Sequence, residues 1–204
     1  MKMHSSYLRL GLTLSAVGFV PHGWSHRWFT KTQWSRVRHY ELVSPFEPRP
    51  DWKQLRIVDP YPSDGYYLPG QHLMDAMVDQ CLWDVHTTPH LPPGPPRPER
   101  VLHDFRLLAV LDALSDSELL TWWTEVQLYR HLARTATTFR VPDGMYRSDT
   151  GHWVAVEVWS RAISDPVLQQ KARSTQRYTH AERFRIANVG DGRETVWDLA
   201  REAV

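Results

Sequence analysis

The sequence predicts a mixed α/β chain built in two parts, and three observations predict it. First, Pro89–Pro98 reads PHLPPGPPRP, with six prolines in ten residues. Proline has no N–H and a fixed φ, so neither a helix nor a central strand continues through it, and the stretch is expected to be extended and stiff. It separates residues 1–88 from residues 100–204, with 89–99 as the joint. Second, the first part is dominated by helical spacing, interrupted by one short extended pair. Third, the second part runs helix, strand, strand, helix, strand. A length of 204 residues suits two small domains.

In the first part, Ser5–Val17 reads as a helix. Leu8–Val20 has the apolarity of a signal-peptide core, but Gly11, Thr13, Ser15 and Gly18 interrupt it and no small-x-small site follows. An amphipathic first helix is expected instead. Thr30 is placed to cap a second clear helix, Lys31–Leu42, KTQWSRVRHYEL. Trp34, Val37 and Leu42 would face the core, while Lys31, Arg36 and Arg38 fall on other faces. A short extended run at Gln54–Val58, a turn at Pro62–Gly65 and a return at Tyr66–Leu68 suggest a hairpin, and Leu73–Val85 is helical again. Helix, helix, basic helix, hairpin, helix is the order of a winged helix-turn-helix. Such a domain lays its basic helix in the major groove of double-stranded DNA, which makes Lys31, Gln33, Arg36 and Arg38 the candidate DNA-binding residues.

Charge agrees with that assignment. The net charge is only +1, but residues 1–58 carry nine Lys/Arg against three acids, residues 59–125 three against eleven, and residues 126–204 twelve against nine. A basic first quarter suits a polyanion, although a solvated basic face would look the same. The single cysteine, Cys81, excludes an internal disulfide framework and fits a reducing, cytoplasmic setting. Cys81, His86 and His90 lie close together, but one thiolate among prolines is a poor zinc set. No stretch approaches 18 apolar residues, so no membrane span is expected. The ten tryptophans read as core and packing residues, with base stacking open to one or two.

In the second part, Val101–Leu114 has an apolar stripe at Leu107, Leu108, Leu111 and Leu114. Ser117 is expected to cap a following helix that runs to about Ala133. Phe139–Tyr146 and His152–Trp159 read as two strands joined by Asp149-Thr150-Gly151. Pro166 opens a helix at Val167–Tyr178. Phe184–Val189 is a third strand, and Glu194–Val204 is expected to close the chain as a short helix. Asp143 and Glu157 lie on the two hairpin strands and Glu125 on the helix before them. Converging carboxylates of this kind suit a hard cation such as Mg²⁺ or Mn²⁺, which activates water for attack on a phosphodiester.

The segments HDFRLLAVLDAL, WWTEVQLYRHL and RVPDGMYRSDTGHWVAVEV, followed by a helix ending in Arg177-Tyr178, resemble the replication-relaxation family of plasmid and mobile-element proteins. Tyr67-Leu68 and His103-Asp104 fit as well. The resemblance covers about residues 100–190 and is carried most sharply by Val141-Pro142-Asp143-Gly144 and Ala155-Val156-Glu157-Val158. It implies a winged helix followed by a restriction-endonuclease-like, PD-(D/E)XK core. It also implies a role in plasmid replication or mobilisation, with replication or relaxosome proteins as partners. The (D/E)XK pattern asks for Lys two residues after the second acid, and Trp159 stands there. Lys171 on the following helix is the candidate replacement; Arg161 is nearer but stays protonated and cannot act as a base.

Three readings follow. The core is a nuclease fold retired from catalysis that serves DNA binding or assembly. Alternatively, it is an active metal-dependent nuclease using Glu125, Asp143, Glu157 and Lys171, with Asp143 and Glu157 holding the metal. Or the acids are structural, one capping a turn and another paired with Arg140 or Arg147, and the protein is an interaction module without a DNA role. A homodimer through Val101–Leu114 and the tryptophan-rich surface is a further expectation. No GxSxG elbow, P-loop or dinucleotide fingerprint is present.

Overall fold

Residues 5–46, 66–79, 98–132, 141–159, 165–188 and 194–199 are described by the structure, a computed structural model. The chain is mixed α/β and divides into two compact units, residues 1–108 and 109–204. The division falls inside a helix, Pro98–Asp112, and not at the proline-rich stretch, whose residues 89–97 lie outside the described ones. The extended run Gln54–Val58, the turn Pro62–Gly65 and Cys81, His86 and His90 also lie outside them.

Unit one begins with α1 (Ser5–Val17), β1 (Val20–Pro21), α2 (His22–Trp28), α3 (Lys31–His39), β2 (Val43–Phe46), β3 (Tyr66–Pro69) and α4 (Gln71–Asp79), and includes the start of α5 (Pro98–Asp112). The limits of α1 agree with the sequence reading, but its character does not. Residues on every side of it are buried, Ser6, Arg9, Leu10, Thr13, Leu14 and Val17 among them. It is a central helix, and not an amphipathic one with a wet face. Gly11 admits α4 at close range: a Cβ there would lie 2.3 Å from Met77 Sδ. Arg9 is buried with its guanidinium carbon 3.9 Å above the Trp28 ring, so its charge faces the ring's negative face.

The three-stranded sheet has the order β1-β3-β2, antiparallel throughout. Tyr66–Pro69 is the expected returning strand, but its neighbours are Val20–Pro21 and Val43–Phe46. Pro45 argues against a central strand, and among the described residues β2 is an edge strand, where a missing N–H is harmless. Trp34 and Val37 point inward as expected, with Trp34 edge-on to Tyr67 at 5.1 Å and tilted against Phe29 at 5.6 Å. Phe19, Val101 and Phe105 form a second aromatic core with Phe46, Tyr66 and Leu68 packed on it.

Unit two takes the end of α5, then α6 (Asp116–Leu120), β4 (Trp123–Thr124), α7 (Glu125–Leu132), β5 (Gly144–Arg147), β6 (Trp153–Trp159), α8 (Asp165–Thr179), β7 (Arg183–Asn188) and β8 (Glu194–Asp198). Leu107, Leu108, Leu111 and Leu114 are all buried within the chain, so that stripe has little to offer a second copy. The helix expected to run from Ser117 to Ala133 is two helices. Ser115, not Ser117, caps α6, in a reciprocal box with Glu118; Ser117 instead donates to Asp149 Oδ1 at 2.7 Å. A second box, Thr124 with Gln127, starts α7.

The five-stranded sheet has the order β4-β5-β6-β7-β8. β6 pairs with β7 in parallel through the crossover helix α8, and every other pairing is antiparallel. The Asp149-Thr150-Gly151 turn closes the β5–β6 hairpin, with Gly151 at φ +87° as a left-handed turn position requires. Glu194–Asp198 is a strand and not the start of a closing helix, because the free edge of β7 supplies a ladder that outweighs local helical spacing. One sheet face, with Met145, Ala155, Phe184 and Ile186, packs on Leu128 of α7 and on Leu168 and Ala172 of α8. On β5, Trp122 stacks parallel to Tyr146 at 6.2 Å and covers Gly144 so closely that a Cβ there would lie 2.0 Å from the indole.

That contact generates a test. Gly144→Val must displace the Trp122 ring from a filled layer, and overpacking of this kind costs about 1–3 kcal/mol. Urea unfolding of the variant should show a lowered midpoint; an unchanged midpoint would mean that the indole does not need the glycine.

Candidate functional site

Among the described residues, two groups of side chains carry the candidate chemistry, one in each unit. In unit one, the Thr30 hydroxyl accepts the Gln33 N–H while the Gln33 side-chain oxygen accepts the Thr30 N–H at 2.9 Å, which fixes where α3 starts. With Trp34 and Val37 turned into the core, Lys31, Thr32, Ser35, Arg36, Arg38 and His39 are exposed together on the opposite side. Lys31, Ser35 and Arg38 follow one helical row, and Thr32, Arg36 and His39 the next. Among the described residues, Lys31, Arg36 and Arg38 have no carboxylate partner. Of the four residues expected to contact DNA, these three share the exposed arc. Gln33 does not stand equal with them, because its acceptor oxygen is committed to the cap. His39 and Tyr40 lie beyond the four expected residues and are exposed beside them. Tyr40 is 59% exposed at the end of α3, and the spacing of residues 32, 36 and 39 was the available signal.

In unit two, alternation along β6 decides the site. Residues 154, 156 and 158 face one side of the sheet; residues 155, 157 and 159 face the other, which α8 covers. Glu157 is therefore a carboxylate on the helix-covered face of a central strand, and it is 7% exposed. Lys171 of α8 donates to Glu157 Oε1. Its ammonium also lies 5.3 Å from the centroid of the Trp159 ring. Lys171 thus reaches the Glu157 carboxylate from the helix while lying over the ring of Trp159, two residues further along the strand. Asp143 precedes β5. The Gly144↔Val156 pairing, continued by one residue, sets it opposite Glu157. Its Oδ2 accepts the Val158 N–H at 2.7 Å.

Glu125 behaves differently. It is the first residue of α7, where a negative charge suits the helix dipole. Among the described residues, no three His, Cys, Asp or Glu side chains are grouped to hold one metal ion. Asp143 and Glu157, the two acids expected to hold a metal, are neighbours through the hairpin. Arg147, expected as a carboxylate partner in the structural reading, donates instead to the Gly151 carbonyl at 3.0 Å, and Arg140 lies outside the described residues.

On the other sheet face, Arg185 donates from Nε and Nη2 to Glu194 Oε2, at 3.0 and 2.6 Å, and from Nη1 to Tyr146 at 3.5 Å. Burial raises the Tyr146 phenol above its usual value despite the neighbouring guanidinium. Burial opposes the charge on Arg185, but the hydrogen bond and charge of Glu194 outweigh it and its pKa is raised. The group is a fixed ion pair with a protonated phenol, not an acid–base device. Among the described residues, no helix is long and apolar enough to cross a membrane.

No protein-family model, no curated protein and no solved structure matches this chain.

The Glu157–Lys171 pair predicts a stability effect. Lys171→Met removes the ammonium that donates to a buried carboxylate and should cost about 3 kcal/mol. Lys171→Met combined with Glu157→Met should recover most of that loss. Chemical denaturation of both variants checks it; a single variant as stable as the wild type would show that the carboxylate finds equal compensation elsewhere.

Proposed function

We propose that this protein is a double-stranded DNA-binding accessory protein of the kind the replication-relaxation resemblance implies, acting in plasmid or mobile-element replication or mobilisation. The observation that carries the reading is the exposed arc of α3, where Lys31, Arg36 and Arg38 face solvent behind a fixed cap while Trp34 and Val37 anchor the helix. The order helix, strand, helix, helix, strand, strand, with a sheet in the order β1-β3-β2, supports a winged helix with α3 as the reader. The β5–β6 hairpin, crossover helix and parallel strand support a PD-(D/E)XK-like core in the second unit. Trp159 in the lysine place supports its retirement from catalysis.

Gel-shift titration of the folded protein on duplex DNA tests the reading. Arg36→Ala with Arg38→Ala should weaken binding and lower the slope of log K against log salt by about 2, since each phosphate contact contributes about 0.9. Absence of binding by the wild type at low salt would sink the proposal.

One observation favours a second reading, an active endonuclease: Lys171 reaches Glu157 from α8. Asp143 and Glu157 supply the oxygen donors that a hydrated Mg²⁺ or Mn²⁺ accepts, and such ions are commonly held by one or two carboxylates together with substrate phosphate. When bound, the ion would supply an activated water and charge neutralisation. A plasmid-nicking assay with either metal separates the readings. Cleavage that is lost in Asp143→Asn and in Lys171→Met would make the protein a nuclease. Binding without cleavage leaves the accessory reading in place.

A further inference from the structure

We infer that the outward face of α8 is a second contact for the DNA phosphate backbone, on the unit that does not carry α3. The inference rests on the DNA-binding reading above and extends it to residues outside the reading helix and outside the carboxylate–lysine group.

α8 divides its side chains sharply. Ala172 and Leu168 pack on the sheet, Thr175 and Thr179 are buried, and Lys171 turns to Glu157. The other side forms an open groove of about 570 Å³ whose lining includes Gln169, Gln170, Arg173, Ser174, Arg177 and Tyr178. These positions recur in pairs every four residues, so they line one side of the helix for more than two turns. Each carries an N–H or O–H donor. Side chains of these types (arginine, glutamine, serine, tyrosine) are the ones that contact phosphate oxygens in protein–DNA interfaces and set the register of the protein on the duplex.

Charge points the same way. From Pro166 to Thr179 the sequence has three cations and no acid. Lys171 is neutralised by Glu157, which leaves Arg173 and Arg177 as the charges of this face. Both are exposed, and neither has a carboxylate partner among the described residues. They stand one turn apart, where like charges repel along a helix. An anion lying across both relieves that repulsion. A partner helix docking here would need an apolar stripe, and the groove sets amides, hydroxyls and guanidiniums beside a single proline instead. Base stacking would need a bare aromatic platform, and Tyr178 is half-buried. Amide and hydroxyl donors interleaved with two cations suit acceptor oxygens repeated along a strand. The contact should therefore add affinity and salt sensitivity without sequence preference.

Fluorescence anisotropy with the full chain and a labelled duplex, across a series of salt concentrations, tests this. Arg173→Ala with Arg177→Ala should weaken binding at every sequence tried and lower the salt slope by about 2. Arg173→Lys with Arg177→Lys should keep the wild-type slope, which separates lost charge from a damaged helix. A wild-type slope in the double alanine variant, with binding still sensitive to Arg36→Ala and Arg38→Ala, overturns this inference and leaves the DNA-binding reading standing. Loss of slope in the lysine variant as well, with circular dichroism unchanged, also overturns a charge-based backbone contact. Absence of wild-type binding at low salt removes both.

Discussion

A carboxylate in the middle of a buried strand has to be answered by its surroundings, and much of the second unit is arranged around that requirement. Glu157 sits on the sheet face that α8 covers, on the middle strand of five, and water cannot do for it what a counter-ion can. The parallel β6–β7 pairing brings α8 across that face. The crossover then supplies the cation in Lys171 and the packing in Leu168 and Ala172. Position 159 is consequently relieved of carrying charge and can be a large aromatic ring. The ring fills space in the core and gives the ammonium a π-face to lie over. Strand, crossover and tryptophan form one solution to one electrostatic problem.

The first unit is organised by a different constraint, the burial of aromatic area around a helix that has no wet side. α1 is enclosed, so α4 must approach it at the closeness Gly11 allows, and the sheet and α3 must supply aromatic cover elsewhere. Trp34 is the hinge of that arrangement. Its ring meets Tyr67 of the sheet and Phe29 at the end of α2, and its own helix is thereby rotated so that all three of Lys31, Arg36 and Arg38 look outward. Exposure of the basic arc is a consequence of where the tryptophan goes.

Much of this was legible in the sequence where the physics is local. The ends of α1, the Thr30 cap, the inward Trp34 and Val37, the Asp149-Thr150-Gly151 turn and the approach of Lys171 to Glu157 all depend on a few neighbouring residues or on one crossover. What failed was decided at a distance. Glu194–Asp198 has helical spacing, but it lies against an open β7 edge. Val43–Phe46 contains a proline, but it is an edge strand. Val20–Pro21 and Trp123–Thr124 are two residues each, too short to announce themselves except through their partners. Ser115 and Ser117 compete for one cap, and the nearer reciprocal glutamate chooses Ser115. Glu125 stands as the first-turn acid of α7.

The Thr30–Gln33 cap has a chemical consequence beyond fixing a helix end. With the Gln33 oxygen held by the Thr30 N–H, the exposed arc of α3 offers ammonium, guanidinium, hydroxyl and imidazole groups and no amide able to present donor and acceptor side by side. Adenine is read in the major groove by such a paired donor and acceptor, whereas the O6 and N7 edge of guanine asks only for two donors in a fork. If α3 meets a duplex as proposed, its exposed groups suit guanine edges and phosphate oxygens better than adenine. A capping interaction that looks like local housekeeping would thereby narrow the alphabet available to the surface it supports.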